Sequence, residues 1–250
     1  MKLSVITVSY NAAKTIGDTL ESVAAQTCPE VEHIVVDGAS GDGTMEVVRR
    51  QGAHLACAIS EPDQGIYDAM NKGLARATGD IVGILNADDV YADDRVLQDV
   101  VAAFEKDQLD ALYGDVLVVD RIDTGKVIRR YNSCRFRPSR IGYGWMPAHP
   151  GLFVRKSIYD RFGNYRTDYM IASDYEFVAR IFRDDTLRHQ HMARVIVRMR
   201  HGGVSTQGWR NSLVLNSEVL RACRENNIHS NWFKLLSKYP AKALEFLRLG

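Results

Sequence analysis

The chain has 250 residues, 46% of them hydrophobic and 25% charged, and a formal net charge of +1. That composition fits one large globular domain, or one domain with an appendage, long enough to bury roughly three quarters of its unfolded surface. A charge so near zero excludes a global field drawing the chain to nucleic acid, and no apolar run approaches the ~20 residues of a membrane span.

The apolar start "MKLSVITVSYN" turns polar by position 9 and lacks a small-residue cleavage pattern, so it reads as a strand rather than a secretory leader. The segment "LSVITVS" (3–9) is rich in β-branched residues and apolar on both faces. "HIVVD" (33–37) and "DIVGILN" (80–86) repeat the style. Between them "AKTIGDTLESVAAQ" (13–26) places Ile16, Leu20, Val23 and Ala24 on one helical face. Further helices are predicted at about 43–51, 66–77 and 94–106. Continuous apolar strands alternating with helices indicate an α/β fold, a doubly wound and mostly parallel sheet covered on both sides. Such sheets bind ligands at the carboxyl ends of their strands. Here those ends are polar: "SYN", "DGASGDG" and "NADD".

After about residue 110 the pattern changes. "ALYGDVLVVD" and "KVIRRYN" read as strands around a turn at "RIDTG", and "AHPGLFVR" as a further candidate. A helix is predicted over 173–184, a strand over 193–200 and a long helix over 209–226. The last 20 residues form a basic amphipathic segment broken at Pro240; it reads either as an interfacial helix lying on an anionic membrane near a lipid-linked acceptor, or as a helix packed on the domain or on a second subunit. Cys28, Cys57, Cys134 and Cys223 form no C-x-x-C pair, so free thiols in a reducing compartment are expected rather than a zinc or disulfide framework.

The chemistry concentrates in the strand ends. There is no G-x-x-x-x-G-K-S/T, G-x-G-x-x-G, G-x-S-x-G or H-E-x-x-H pattern. Asp37 closes a strand; it is either a turn carboxylate or an acceptor for a nucleobase N–H of uracil or guanine. Asp42 or Gly43, with Glu46 following, fits the cap of the next helix. Asn86, Asp88 and Asp89 leave a buried strand without a His or Cys cluster nearby. They suit either a solvated loop or a hard cation, Mg2+ or Mn2+, shared with a diphosphate. Asp93 and Asp94 belong at the start of the 94–106 helix. Asp174 and Glu176 open another helix, as capping acids or as a general base. Among the histidines, His149 and His201 lie beside turn residues, and His201 is a candidate to complete a metal shell or touch phosphate.

Taken in order, "SVITVSYNAAKTIGDTLESVAAQT", "IVVDGASGDGT", "EPDQGIYDAMNKGLARATGDIVGILNADD" and "SDYEF" resemble family 2 glycosyltransferases of the GT-A fold, in particular the bacterial group that builds surface polysaccharides. The resemblance covers about residues 1–205. It implies an inverting, metal-dependent transfer from a nucleotide-diphosphate sugar, expected to be a UDP-sugar, to an acceptor hydroxyl, expected on a lipid-linked saccharide. It implies a nucleotide-binding half at 1–110, an acceptor half at 111–205 and a C-terminal helical extension at 206–250. By the same resemblance Thr7, Val8, Ser9, Tyr10 and Asn11 line the nucleotide pocket and Asp37 holds the base. Asp63, Asp68 and Lys72 line the donor site. Asn86-Ala87-Asp88 occupies the family's Asp-x-Asp position, with Asp88 and Asp89 as ligands to Mn2+ or Mg2+, and Asp174 is the catalytic base. Asn86 departs from the family's first aspartate, and Ser173 stands where an acid often precedes the base. The expected location is the cytoplasm, with a possible peripheral place on the inner face of the cell membrane and possible homo-oligomers. The rivals are a sugar-phosphate nucleotidyltransferase, which needs no base at Asp174, and a non-catalytic sugar-nucleotide binding module.

Overall fold

The computed structural model describes residues 1–202 and 208–237. The first half alternates β1 (Leu3–Ser9), α1 (Ile16–Ala24), β2 (Val31–Asp37), α2 (Thr44–Gln51), β3 (Cys57–Ser60), α3 (Ile66–Leu74) and β4 (Ile81–Ile84). A two-residue strand β5 (Val90–Tyr91) and helix α4 (Val96–Asp107) follow. The second half holds β6 (Ala111–Val119), β7 (Val127–Tyr131) and three 3-10 turns, at Ser133–Arg135, Pro138–Tyr143 and His149–Gly151. It continues through β8 (Leu152–Arg155), α5 (Lys156–Phe162), α6 (Ser173–Ile181), β9 (His189–Arg200), α7 (Gly208–Glu225) and α8 (Trp232–Leu236). The predicted basic segment is thus seen only through α8; its residues 238–250 lie outside the described residues.

One sheet runs through both halves in the order β3-β2-β1-β4-β8-β6-β9-β5, with β7 paired to β6. β3, β2, β1 and β4 are parallel, as continuous apolar runs require. β8 then enters antiparallel between β4 and β6, and β6 pairs in parallel with β9. β3 adds a strand to the three read from the first half. Its residues alternate half-buried and exposed, the mark of an edge rather than a central strand, so it lacks the apolar run that betrays its neighbours.

Helices cover both faces. On one side Ile6, Val8, Ile34 and Val36 pack with Met70, Leu74 and the α6 residues Phe177 and Ile181. On the other Leu3, Val5, Ile81 and Leu85 pack with Val96, Val100 and Phe104 of α4. The glycine interrupting β4 has a packing reason: a Cβ on Gly83 would lie 2.5 Å from the Phe153 ring of β8.

Glu32 ties the amino ends of these strands. It accepts from Ser4 Oγ at 2.5 Å, Lys2 Nζ at 2.9 Å and the Thr78 amide at 2.8 Å. Burial alone would raise its pKa, but bonds from Ser4, Thr78 and Lys2 outweigh it and pull the carboxyl down to about 2. The folded state therefore binds this proton less tightly than the unfolded state does. The resulting stability, about 3 kcal/mol at most, is complete above the unfolded value near 4.5 and fades as pH falls toward 2. Glu32→Gln should lower the urea midpoint at pH 7 and bring it close to that of the native chain near pH 2.

Candidate active site

The strand registers level the polar ends. Ser9 pairs with Asp37, and Asp37 with Ser60. The Leu85 and Ala87 amides donate to the carbonyls of Ile6 and Val8 at 3.0 and 3.2 Å, which carries the chain beyond β4 alongside β1. Ser60, Asp37 and Ser9 thus form one row along the sheet's carboxyl edge, and Asn86 lies one position before the residue level with Ser9.

Asp37 is fully buried and is the knot of this row. One carboxylate oxygen accepts from Ser9 Oγ at 3.0 Å and Ser40 Oγ at 2.5 Å. The other accepts from the Ser40 amide at 2.9 Å and Ser60 Oγ at 2.6 Å. Burial pushes its pKa up, but these bonds from Ser40, Ser60 and Ser9 prevail and hold it below the ordinary range. The anion is therefore fixed, with its lone pairs occupied by three serines. Tyr10 is 70% exposed. Asn11, left-handed at φ 50°, donates its amide to Ser40 Oγ and accepts the Gly41 amide. The side chains of Thr7 and Val8 serve the fold: Thr7 Oγ1 bonds the buried ring of His33 at 2.9 Å, and Val8 is in the core.

Gly38 allows two elements to close on this floor. A Cβ there would stand 2.4 Å from Asp63 Oδ2 and 3.4 Å from the Tyr10 ring. Asp63 accepts the Gly65 amide at 2.9 Å, and Asp68 the Gln64 amide at 3.1 Å. Lys72, one turn along α3 from Asp68 and 3.4 Å from its carboxylate, donates to the Pro62 carbonyl at 2.7 Å. Asp68 and Lys72 thereby clasp the 61–65 loop onto the start of α3, with Asp63 facing Tyr10 across Gly38.

Beyond β4, Asp89 is fully buried, accepting the Asn86 side-chain amide at 3.3 Å. Burial and the adjacent Asp88 push its carboxyl well above the usual range. Asp88 is partly exposed. Burial raises its pKa too, against the pull of Arg200 and Arg121. Arg200, at the end of β9, donates to the Asp88 carbonyl at 2.8 Å and to the Asp18 carboxylate. His201 follows it, exposed, with its amide on the Val119 carbonyl. Three buried polar atoms here have no hydrogen-bond partner: Asn86 Oδ1, Asp89 Oδ1 and Arg200 Nε. The described residues contain no group of three His, Cys, Asp or Glu able to cage a metal. All-oxygen donors with one partly exposed carboxylate fit a hard cation whose shell is completed by phosphate oxygens. Asn86 supplies an unpartnered oxygen where the Asp-x-Asp pattern has a carboxylate, so the oxygen donor survives while a charge is lost.

Asp174 enters from the other half. It lies in the first turn of α6, where N-terminal dipoles favour a carboxylate. Its carboxylate accepts the Tyr175 amide at 2.8 Å and the Tyr67 hydroxyl at 3.3 Å. Tyr67 belongs to the first turn of α3, next to Asp68, and also bonds the Ile171 carbonyl. One phenol thus joins the donor-side loop to the α6 terminus. Burial raises the Asp174 pKa, while His149 opposes it. His149 in turn bonds the Tyr165 hydroxyl at 3.0 Å. Glu176 has a different fate: it is buried and paired with Arg180 at 2.9 Å.

Glu218 of α7 props this site. Its carboxylate takes the consecutive amides of Met170, Ile171 and Ala172, at 2.6, 2.9 and 2.9 Å. These residues lead directly into α6 and could not be linked to Glu218 from sequence. Charge-assisted bonds of this kind are worth about 1.5–3 kcal/mol. Glu218→Ala should lower the melting temperature and turnover while leaving the KM for donor close to native; an unchanged kcat removes Glu218 from the support of Asp174.

A family model for "Glycosyl transferase family 2" matches residues 4–190. The chain belongs to this family. A PGL/p-HBAD biosynthesis glycosyltransferase of Mycobacterium bovis is 30% identical over 216 residues, covering 81% of this chain and 78% of that protein. A glycosyltransferase of Mycobacterium tuberculosis is 36% identical over 180 residues, covering 71% of this chain and 68% of that protein. Solved structures show the same GT-A fold. S. aureus TarS 1-349 in complex with UDP-GlcNAc superposes at a TM-score of 0.67 with 19% identity, over 89% of this chain and 72% of that one. The mannosyltransferase PcManGT from Pyrobaculum calidifontis, in complex with GDP-Man and Mn2+, superposes at 0.61 with 22% identity, over 97% and 80%. Against the longer TarS chain, this chain spans 40% of that length. The protein is a glycosyltransferase of the GT-A fold, and its crevice at the sheet's carboxyl edge is the candidate active site.

Proposed function

We propose that this glycosyltransferase moves a sugar from a UDP-sugar to an acceptor hydroxyl on a lipid-linked saccharide, with inversion at the anomeric carbon. The observation that carries the reading is the Tyr67 bridge, which sets Asp174 over the loop that places Asp63 against Gly38 and Tyr10. A raised carboxyl and a nucleotide floor then face one crevice. Residues 1–110 supply the donor floor, 111–205 the base and acceptor side, and 206–250 an extension whose Glu218 supports the base.

The base ring of the donor sits against Tyr10 and above Asp37, where a base N–H replaces the hydroxyl of Ser60, the exposed one of the three serines, as donor to the carboxylate. Asp63, Asp68 and Lys72 frame the sugar. Asp88, the Asn86 oxygen and, on the open side, His201 are positioned to hold Mn2+ or Mg2+, with the buried Asp89 orienting Asn86 from behind. When bound, the cation neutralises the charge growing on the departing diphosphate. Asp174 accepts the acceptor's hydroxyl proton. The oxygen bonds to the anomeric carbon from the face opposite the diphosphate as the bond to the diphosphate oxygen breaks. One such displacement inverts the centre and needs no protein nucleophile. The UDP-GlcNAc and GDP-Man/Mn2+ complexes of the two structural relatives support both the donor class and the metal. A nucleotidyltransferase would leave Asp174 without a task.

A thermal-shift panel of UDP-, GDP- and dTDP-sugars, each with Mn2+ and with EDTA, tests the reading. A ligand held at 100 times its Kd adds about 2.7 kcal/mol. Stabilisation by a UDP-sugar that requires Mn2+ supports it; equal shifts with EDTA, or a larger shift with another base, contradict the corresponding part.

A further inference from the structure

The acceptor side carries a surface that the donor chemistry leaves unused. Four large apolar side chains stand exposed close together: Tyr143 at 40%, Trp232 at 44%, Phe233 at 87% and Leu236 at 52%. Trp232, Phe233 and Leu236 fall within about 100° of arc on α8, while Leu235 faces inward, fully buried, and anchors the helix. Tyr143 ends the 3-10 turn Pro138–Tyr143. Lys234 joins the two elements, its ammonium 5.2 Å from the Tyr143 ring centre and bonded to the His229 carbonyl at 3.1 Å. Ser230 adds a bond to the Gly142 carbonyl at 2.7 Å. The patch is therefore one fixed surface.

Its charge has one sign. No Asp or Glu occurs between Asp123 and Asp160, a stretch with eight Lys and Arg residues, and none occurs between Glu225 and Glu245. Arg140, in the same turn as Tyr143, is exposed, as are Arg135 and Arg137 just before that turn. In a chain of net charge +1, this local excess is a built asymmetry. Aromatic and aliphatic side chains with Lys234 among them and Arg140 in the adjoining turn match the anionic headgroup layer of a bilayer, where rings enter the interface and each nearby cation adds about 1 kcal/mol. No helix among the described residues is long and apolar enough to cross a membrane. The patch is also wired to the site. Ile141, in the same turn as Tyr143, accepts the hydroxyl of Tyr175, the residue after Asp174.

We infer that the surface formed by Tyr143, Trp232, Phe233 and Leu236 with Arg135, Arg137 and Arg140 docks the enzyme on an anionic lipid bilayer and presents the Asp174 side of the crevice to a membrane-held acceptor. The second half of this inference rests on the lipid-linked acceptor proposed above; the docking itself does not. Exposed apolar rings favour a bilayer over a soluble polyanion, which needs only the cations.

Flotation of the full-length chain with phosphatidylglycerol and with phosphatidylcholine vesicles, at low and high salt, tests it. Binding to phosphatidylglycerol that weakens with salt is expected, with little binding to phosphatidylcholine. Trp232→Ser/Phe233→Ser should cut the partition at least about tenfold, and Arg137→Glu/Arg140→Glu likewise, while the Mn2+-dependent donor shift stays native. Undiminished flotation of either variant overturns the surface. So does capture by polyphosphate with no vesicle binding, or a native dimer that the serine variant converts to monomer, since a second copy would then cover the patch. Loss of the donor shift in the native chain would instead strike the proposed reaction and leave the docking result to stand separately.

Discussion

Asp174→Asn should bind donor as the native chain does and lose about 10²- to 10⁴-fold in kcat, the range that a positioned general base supplies. The amide keeps the size of the side chain and can still accept from the Tyr67 hydroxyl and the Tyr175 amide through its oxygen, so α6 and the Tyr67 bridge are retained. What it lacks is a basic lone pair for the acceptor's proton. The pH profile adds a second signature. Burial raises the Asp174 pKa, with His149 opposing, so the acid limb of kcat should lie above the usual aspartate range near 3.8 and vanish in the variant. Stability should move the other way. A carboxyl whose folded pKa is raised holds its proton more tightly when folded, so its ionisation costs stability as pH rises through that raised value. The asparagine variant should therefore be at least as stable as the native chain at pH 7. A variant that turns over at the native rate, or one that is inactive because it is unfolded, is the contrary result; the melting curve separates the two.

Asp88→Ala carries the other large effect. Among the residues beyond β4, Asp88 offers the partly exposed carboxylate, since Asp89 is fully buried. Its removal should abolish the Mn2+-dependent part of donor binding, a cost of several kcal/mol. Burial pushes the Asp88 pKa up, so cation binding, which needs the ionised form, should strengthen with pH through the acid range. Asp88→Asn should fall between native and alanine, because Asn86 shows that this loop tolerates a neutral oxygen donor. Titration of donor by calorimetry with Mn2+ and with EDTA reads both variants; an Asp88→Ala chain whose donor affinity still responds fully to Mn2+ places the metal elsewhere.

The legible parts of this fold are those written locally. β1, β2 and β4 announce themselves as apolar runs, and their polar exits point to the crevice because parallel strands share one carboxyl edge. Gly43 caps α2 as its Asp-Gly context suggests, with Asp42 holding the Thr44 amide at 3.1 Å. β3 escapes notice because an edge strand buries only alternate side chains. The antiparallel insertion of β8 escapes because strand order is decided by packing partners far away in sequence. The same divide runs through the site. Asp37, Asp88 and Asp174 stand out as acids at element ends, yet their supports are long-range. Tyr67 reaches Asp174 across 107 positions, Arg200 reaches Asp88 across 112, and Glu218 holds the α6 entrance from α7. None has a local pattern: a tyrosine in α3 reads as core, an arginine at a strand end as surface, a glutamate in a helix as solvated.

The shared crevice is tested most directly by anomalous diffraction from crystals grown with Mn2+ and a non-hydrolysable UDP-sugar. The expected result is one manganese peak within about 2.3 Å of an Asp88 oxygen and of the diphosphate, with the uracil at Asp37 and the anomeric carbon turned toward Asp174. Manganese bound away from Asp88, or a sugar whose anomeric carbon faces away from the α6 entrance, would contradict it.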